Sequence, residues 1–188
     1  KVVDANAKRC VVEVVESLHE YQKMDYELTV AIAPTKIIDR FEWFLEKSTE
    51  VGISEIYPIE CDHSERHQLK LDREQKVVTS AVKQSLKAYH PLLHPLTSVR
   101  DVITMPFEGA KFIAHCNSEL GEREYLGRLL KKGEKTLILI GPEGDFSPEE
   151  ITFALQNGFK AISLGRERLR TETAAVVATV VTSTINKM

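Results

Sequence analysis

From residue 27 onward, short apolar runs alternate with stretches of helical periodicity, and few folds accommodate that alternation. The runs "LTVAIA" (28–33), "ISEIYPI" (53–59), "KFIAHC" (111–116), "TLILI" (136–140) and "AISLG" (161–165) are too short for ordinary helices. Turn-forming residues bound them, so they read as buried strands. Between them, residues 36–51 carry Ile37, Phe41, Phe44 and Leu45 on one helical face and Lys36, Arg40, Trp43, Lys47 and Glu50 on the opposite stripe. Residues 72–89 predict a second helix, with Val77, Ala81, Val82, Ser85 and Leu86 on its apolar side and Pro91 beyond its end. Residues 122–132 predict a charged helix and 171–187 an apolar one. Strands separated in this way by helices predict an α/β fold with a mostly parallel sheet covered on both faces. Upstream, "RCVVEVVE" (9–16) reads as one further strand.

In a parallel sheet, ligands gather beyond the carboxyl ends of the strands, and three of those ends are distinctive. The strand at 136–140 runs into Gly141-Pro142-Glu143-Gly144. Just beyond, Ser147 N-caps a helix, Pro148 takes its first position, Glu150 completes a capping box and Gly158 ends it. The strand at 111–116 ends in His115-Cys116, and the one at 161–165 in Gly165, followed by Arg166-Glu167-Arg168-Leu169-Arg170-Thr171-Glu172-Thr173. Glycine at a strand end lets a ligand approach bare backbone N–H and C=O groups, which suits an adenine or an amino-acid moiety. Either glycine loop alone is ordinary turn chemistry. The two together, with the polar Arg-Thr-Glu-Thr run, point to a site.

Other chemistries find less support. Neither G-x-x-x-x-G-K-[ST] nor G-x-G-x-x-G occurs, so nucleotide loops of those types are excluded. His63 and His67 have a spacing used by zinc, but no nearby cysteine pair completes four ligands, so no metal is expected. His19, His90 and His94 read as surface or packing residues. The 188 residues suffice for one domain, or one and a fragment. A net charge of −3 makes any nucleic-acid contact a matter of local patches. Cys10, Cys61 and Cys116 are odd in number and far apart, which predicts reduced thiols and a cytoplasmic location. No apolar run approaches membrane-spanning length.

The segments Gly141-Pro142-Glu143-Gly144-Asp145-Phe146-Ser147, Leu164-Gly165 and Leu169-Arg170-Thr171-Glu172-Thr173-Ala174-Ala175 resemble the RsmE-type family of SPOUT-class methyltransferases, which modify N3 of a uridine in small-subunit (16S) ribosomal RNA. Lys36 and Lys47-Ser48-Thr49-Glu50-Val51-Gly52 are similar to that family's first helix, with Val51 in place of leucine. His63-Ser64-Glu65-Arg66 and Gln84-Ser85 match further segments. Lys87 stands where arginine is common, which keeps the charge but loses the bidentate fork. The resemblance covers roughly residues 27–188 and implies a SPOUT methyltransferase domain there, with a deep trefoil knot in its C-terminal part. Residues 1–22 would be a remnant of an N-terminal PUA-like β-barrel that binds RNA.

The resemblance further implies S-adenosylmethionine as cofactor. Its pocket would be lined by Leu139, Ile140, Gly141, Pro142, Glu143 and Gly144, by Leu164 and Gly165, by Leu169, Arg170, Thr173 and Ala174, and by His115 and Cys116. It assigns RNA contacts to Lys36, Arg40, Lys47, Arg66, Gln84 and Lys87. Arg66 or Arg170 would stabilise charge on uracil oxygens, and Glu172 would accept a proton or orient an arginine. The expected partners are small-subunit ribosomal RNA or the assembled 30S particle, and a second copy of the chain docked through the final helix at Val176, Val177, Val180 and Val181. Two alternatives stay open. Ribose 2′-O-methylation is disfavoured because Glu-Thr-Ala stands where ribose-modifying relatives have Ser-Leu-Asn, and a non-catalytic RNA-binding module is disfavoured by the intact glycine loops.

Overall fold

The computed structural model describes residues 1–120 and 122–188. Its strands are β1 (Val2–Ala5), β2 (Cys10–Val12), β3 (Leu28–Ile32), β4 (Glu55–Glu60), β5 (Leu92–Leu93), β6 (Thr97–Ser98), β7 (Ala110–Ala114), β8 (Glu124–Tyr125), β9 (Thr136–Ile140) and β10 (Lys160–Ser163). Its helices are α1 (Ile38–Val51), α2 (Leu71–Gln84), α3 (Val99–Thr104), α4 (Leu126–Leu129), α5 (Pro148–Gln156) and α6 (Thr171–Lys187). The main sheet runs β5-β4-β3-β9-β7-β10-β8, with β6 also on β4, and every pairing in it is parallel. Both central strands, β3 and β9, are buried at every position, as strands with helices on both faces must be. One core, around Phe41, Phe44, Leu45 and Phe112, lies under α1, α2 and α6. The other, around Ile103, Ile113, Leu139 and Phe159, lies under α3 and α5.

Helix α6 has its expected bounds and packs inward through its small residues. It buries Ala175, Ala178, Thr179, Thr182, Ser183 and Asn186, and leaves Val180 42% exposed. Small side chains let α6 approach α1 closely, and the buried hydroxyls find acceptors. Thr179 and Thr182 donate to the carbonyls of Ala175 and Ala178, each at 2.9 Å, and Thr179 meets the Ser48 hydroxyl at 3.2 Å.

Three expected elements differ. Residues 9–16 are not one strand: the chain reverses between Asn6 and Arg9, and β2 extends only as far as its antiparallel partner β1. The helix expected over 72–89 ends at Gln84. Leu86 takes φ +53, Lys87 N–H bonds the Val82 carbonyl and Leu86 N–H that of Lys83, a Schellman closure with leucine where glycine is usual. Lys87 is therefore past the helix rather than a turn along it. The charged helix expected at 122–132 shrinks to the single turn of α4. Pairing with β10 claims the backbone of Glu124 and Tyr125, and Leu126 inserts fully into the core.

Helix α2 also buries a carboxylate. Glu74 is 1% exposed, and among the described residues its Oε2 has no hydrogen-bond partner. Burial, reinforced by Glu42 and partly offset by Arg73 and Arg66, pushes its carboxyl up to about 7. The folded state then holds this proton more tightly than the unfolded chain, so stability falls as pH rises from about 4.3 towards 7. Glu74→Gln is expected to raise stability at pH 8 by about 1–3 kcal/mol and to change it little near pH 4. Urea melts across that range read the difference, and equal gains at both ends would remove the carboxylate from this account.

Candidate functional site

Strands β9, β7 and β10 are neighbours, so their carboxyl ends lie side by side. Beyond them opens a cavity of about 700 Å³. One wall is the turn after β9, from Ile140 to Glu143 with Asp145; a second is His115 and Cys116 after β7; the third is the segment from Ser163 to Thr171, with Ala174 of α6. Gly165 has φ +139, and nothing lies within 4 Å of where its Cβ would stand, so bare backbone faces open space. His115 is 5% exposed, and among the described residues neither ring nitrogen has a hydrogen-bond partner. Burial lowers its pKa, against the opposing charge of Asp145, so the imidazole is held neutral.

The turn after β9 is braced from three directions. The expected capping box forms: Ser147 Oγ accepts from Glu150 N–H at 3.2 Å, and Ser147 N–H donates to Glu150 Oε2 at 2.9 Å. Asp145 sits at φ +65, a left-handed backbone unusual for a residue other than glycine. Its carboxylate accepts from the N–H of Cys116 at 2.7 Å and of Phe146 at 2.9 Å, tying the end of β7 to the turn. The segment 61–66 supports the outer side. His63 Nδ1 donates to the Asp145 carbonyl at 3.1 Å, and Asp62 accepts from Ser147 Oγ at 2.6 Å. The third support comes from the β3–α1 loop, where Lys36 N–H donates to Glu143 Oε1 at 3.0 Å. Arg66 in turn fixes that loop, donating through Nε to the Thr35 carbonyl at 3.0 Å and through Nη2 to that of Lys36 at 2.7 Å.

Most of the expected cofactor residues meet here. Ile140, Gly141, Pro142, Glu143, Leu164, Gly165, Leu169, Arg170, Ala174, His115 and Cys116 all line the cavity. Leu139, Gly144 and Thr173 do not. Leu139 is fully buried in the core, and a Cβ on Gly144 would meet His63 at 3.1 Å rather than enter the cavity. Of the expected RNA residues, only Arg40 reaches the wall, with its Nε 3.8 Å from Glu172 Oε1. Glu172 is 6% exposed, and its Oε2 lacks a partner among the described residues. Lys36 pairs with Glu65 at 3.0 Å, and Lys47 with Glu46 and Glu50 at 2.7 and 3.1 Å. Gln84 lines a separate groove with Glu42, Glu46 and Glu50. Lys87 lies close enough to Lys187 for their charges to repel, at the end of α6 remote from the cavity and about 24 Å along that helix. The sequence reading missed Arg123, Asp145, Arg166 and Arg168 as wall residues. The alternation of arginines at 166, 168 and 170 was a usable signal; nothing local marked Arg123.

Adjacent parallel strands whose carboxyl ends enclose a backbone-lined cavity define an α/β domain that binds a small organic ligand at its sheet edge. The chain belongs to the family described as the RNA methyltransferase domain, whose model matches residues 22–183. It is 41% identical to a probable rRNA-methyltransferase from Porphyromonas gingivalis, whose crystal structure superposes with TM-score 0.90 over 99% of this chain and 79% of that one. A ribosomal RNA small subunit methyltransferase E from Neisseria gonorrhoeae, solved bound to S-adenosyl methionine, is 30% identical with TM-score 0.75 over 85% of this chain and 66% of that one. The enzyme of that name from Synechocystis is 30% identical over 88% of this chain, which spans 56% of that relative's length.

The bracing bonds give Arg66 a structural duty. Arg66→Ala removes two charged-donor hydrogen bonds and is expected to cost about 1–2 kcal/mol of stability, half-exposed as the side chain is. Thermal melts at matched pH check it, and an unchanged midpoint would remove the brace.

Proposed function

We propose that this chain is the catalytic part of an S-adenosylmethionine-dependent methyltransferase that modifies N3 of a uridine in small-subunit (16S) ribosomal RNA, working in the cytoplasm on the RNA or the 30S particle. The observation that carries the reading is the cavity at three adjacent strand ends, with bare Gly165 backbone facing its space, in a member of the RNA methyltransferase domain family. The fit to the cofactor is chemical. Adenine and amino-acid groups want main-chain donors and acceptors, and the loops after β9 and β10 offer them at Gly141 and Leu164-Gly165. Ile140, Ile162 and Ala114 add an apolar part to the lining.

When bound, the cofactor supplies an activated sulfonium methyl group. The chain's own residues position the uracil and ease loss of its N3 proton, which is mostly retained at neutral pH. Arg170, without an ion pair among the described residues, stabilises charge growing on uracil carbonyl oxygens, and Arg40 stands on the wall with it. Glu172 lies off the wall and acts through Arg40, which it holds from the first turn of α6. Arg66 contributes by fixing the loop that carries Lys36.

Three further parts of the reading concern architecture. The chain would form a homodimer through the outward valines of α6, supported by the exposure of Val180 beside half-buried Val176, Val177 and Val181. It would be threaded as a trefoil knot. Strand β10 lies beyond β7 on one flank, whereas α6 packs on β3 and α1 on the other, so the chain after Gly165 recrosses the carboxyl edge of the sheet. Residues 1–22 would belong to a β-barrel that binds RNA. The ribbon β1–β2 pairs only with itself among the described residues and leaves Val2, Val3 and Val12 exposed.

The decisive test is mass spectrometry of 16S ribosomal RNA from a strain lacking the gene, with and without complementation; methyluridine that does not track the gene would refute the reading. Gly165→Ala puts a methyl group into the cavity and is expected to weaken S-adenosylmethionine binding at least roughly tenfold, about 1.4 kcal/mol, by calorimetry. Unchanged affinity in the folded variant would move the cofactor elsewhere. For the dimer, light scattering is expected to show twice the chain mass for the parent and a single chain for Val180→Asp.

A further inference from the structure

Cations already held by carboxylates offer little to a phosphate, and of the arginines lining the cavity Arg40 is so held, whereas Arg123, Arg166, Arg168 and Arg170 make no ion pair among the described residues. Lys36, Arg40 and Lys47 are paired with Glu65, Glu172 and the Glu46/Glu50 couple. Arg166 and Arg168 are exposed on the loop between β10 and α6, and make no ion pair or side-chain hydrogen bond among the described residues. Glu167 between them is exposed and makes no ion pair with either among the described residues. Arg123 is anchored by its Nη1 donating to the His115 carbonyl at 2.6 Å.

An aromatic ring stands on the strand that pairs with the one leading into this loop. Tyr125 on β8 is the register partner of Ser163, a residue of the cavity wall, yet is not itself part of that wall. It is 42% exposed, and its hydroxyl has no partner among the described residues. Its ring occupies the space a side chain at 127 would need: a Cβ on Gly127 would stand 2.7 Å from Cε1. The glycine thus seats the ring at the edge of the sheet while much of it stays open to solvent. A seated aromatic on one strand and unpaired arginines on the loop after its partner strand are the groups that bind single-stranded RNA, with a base on the ring and phosphates on the guanidinium groups.

We propose that Tyr125, Arg166 and Arg168 form the cradle for the RNA strand flanking the modified uridine, with Tyr125 stacking a neighbouring base and the two arginines taking phosphates. This rests on the methyltransferase reading and places the RNA on the β8–β10 side of the mouth, opposite the α1 stripe that the sequence had suggested. The acidic net charge agrees with a contact confined to one patch.

The test uses the full-length protein, purified small-subunit particles lacking the modification, and a single-stranded RNA fragment spanning the target. Tyr125→Ala is expected to weaken RNA binding roughly tenfold and slow methyl transfer at sub-saturating RNA, with S-adenosylmethionine affinity by calorimetry within about twofold of the parent. Tyr125→Phe keeps the ring and is expected to restore RNA affinity, which a purely hydrogen-bonding tyrosine would not do. Arg166→Gln with Arg168→Gln is expected to lower the slope of log affinity against log salt by about 1.4, or about 0.7 for each phosphate released on a single strand. RNA affinity and salt slope unchanged in these variants, in protein that binds cofactor and methylates, would overturn the cradle and leave the function standing. Variants that lose dimer mass while keeping RNA affinity would also overturn it, marking the patch as a protein contact. A parent protein that binds cofactor but neither binds nor methylates the RNA would sink the substrate reading and the cradle with it.

Discussion

The register of β9 decides where everything at the cavity stands. Its ladders on both sides are parallel and in step, setting Ile140 level with Ile32 of β3 and Ala114 of β7, and Ala114 level with Ile162 of β10. Four strands therefore finish at one height. The segments that follow them, bearing Thr35, Gly141, His115 and Gly165, are delivered to the same small volume without any contact between them having been required first. A slip by one residue in β9 would exchange Leu137 and Leu139 of one core with Ile138 and Ile140 of the other, and the close packing of both cores opposes that. The site's geometry is thus inherited from packing well below it.

Register brings the loops together but does not make them rigid; hydrogen bonds to charged groups do that. Asp145 accepts a left-handed backbone, a cost of order 1–3 kcal/mol for such conformations, and receives two backbone N–H bonds in return. Glu143, Arg66, Asp62 and Glu150 extend the arrangement outward through carbonyl and amide partners. Nearly all of these bonds join a side chain to main chain. A cavity whose useful surface is its own backbone has to be stiffened from behind, because side chains in front would fill it.

The sequence carried the layout of this molecule better than its joints. Periodicity located the five principal strands, α1 and the full extent of α6, and the Ser147–Glu150 box fixed the start of α5, because those signals are local. It overran at residues 85–89, where a left-handed leucine closes α2 in place of a glycine, and at 122–132, where an edge pairing with β10 takes precedence over helical preference. The second is decided by a neighbour far along the chain, the first by local bonds from Leu86 and Lys87 back to Lys83 and Val82. The same holds for the site. Glycine turns and the Arg-Thr-Glu-Thr run identified most of the cavity wall, yet the pairing of Lys36, Arg40 and Lys47 with carboxylates, and the retreat of Gly144 behind His63, depend on which elements end up adjacent. Family resemblance supplied the cofactor and substrate classes, which periodicity does not encode.

The placement of α6 has a consequence for how such a chain comes to be folded. Its small buried residues rest on α1 and on β3, elements from the opposite end of the sequence, and the hydroxyls of Ser48 and Thr179 meet across that seam. Until α6 is in place, Phe41, Phe44 and Leu45 lack one side of their enclosure. Contacts of such long sequence separation carry a large loop-closure entropy and slow the search for the native state. A nascent chain of this kind holds an unfinished core until α6 has been made and docked, so its exposure to aggregation depends on that time as well as on the strength of the sheet.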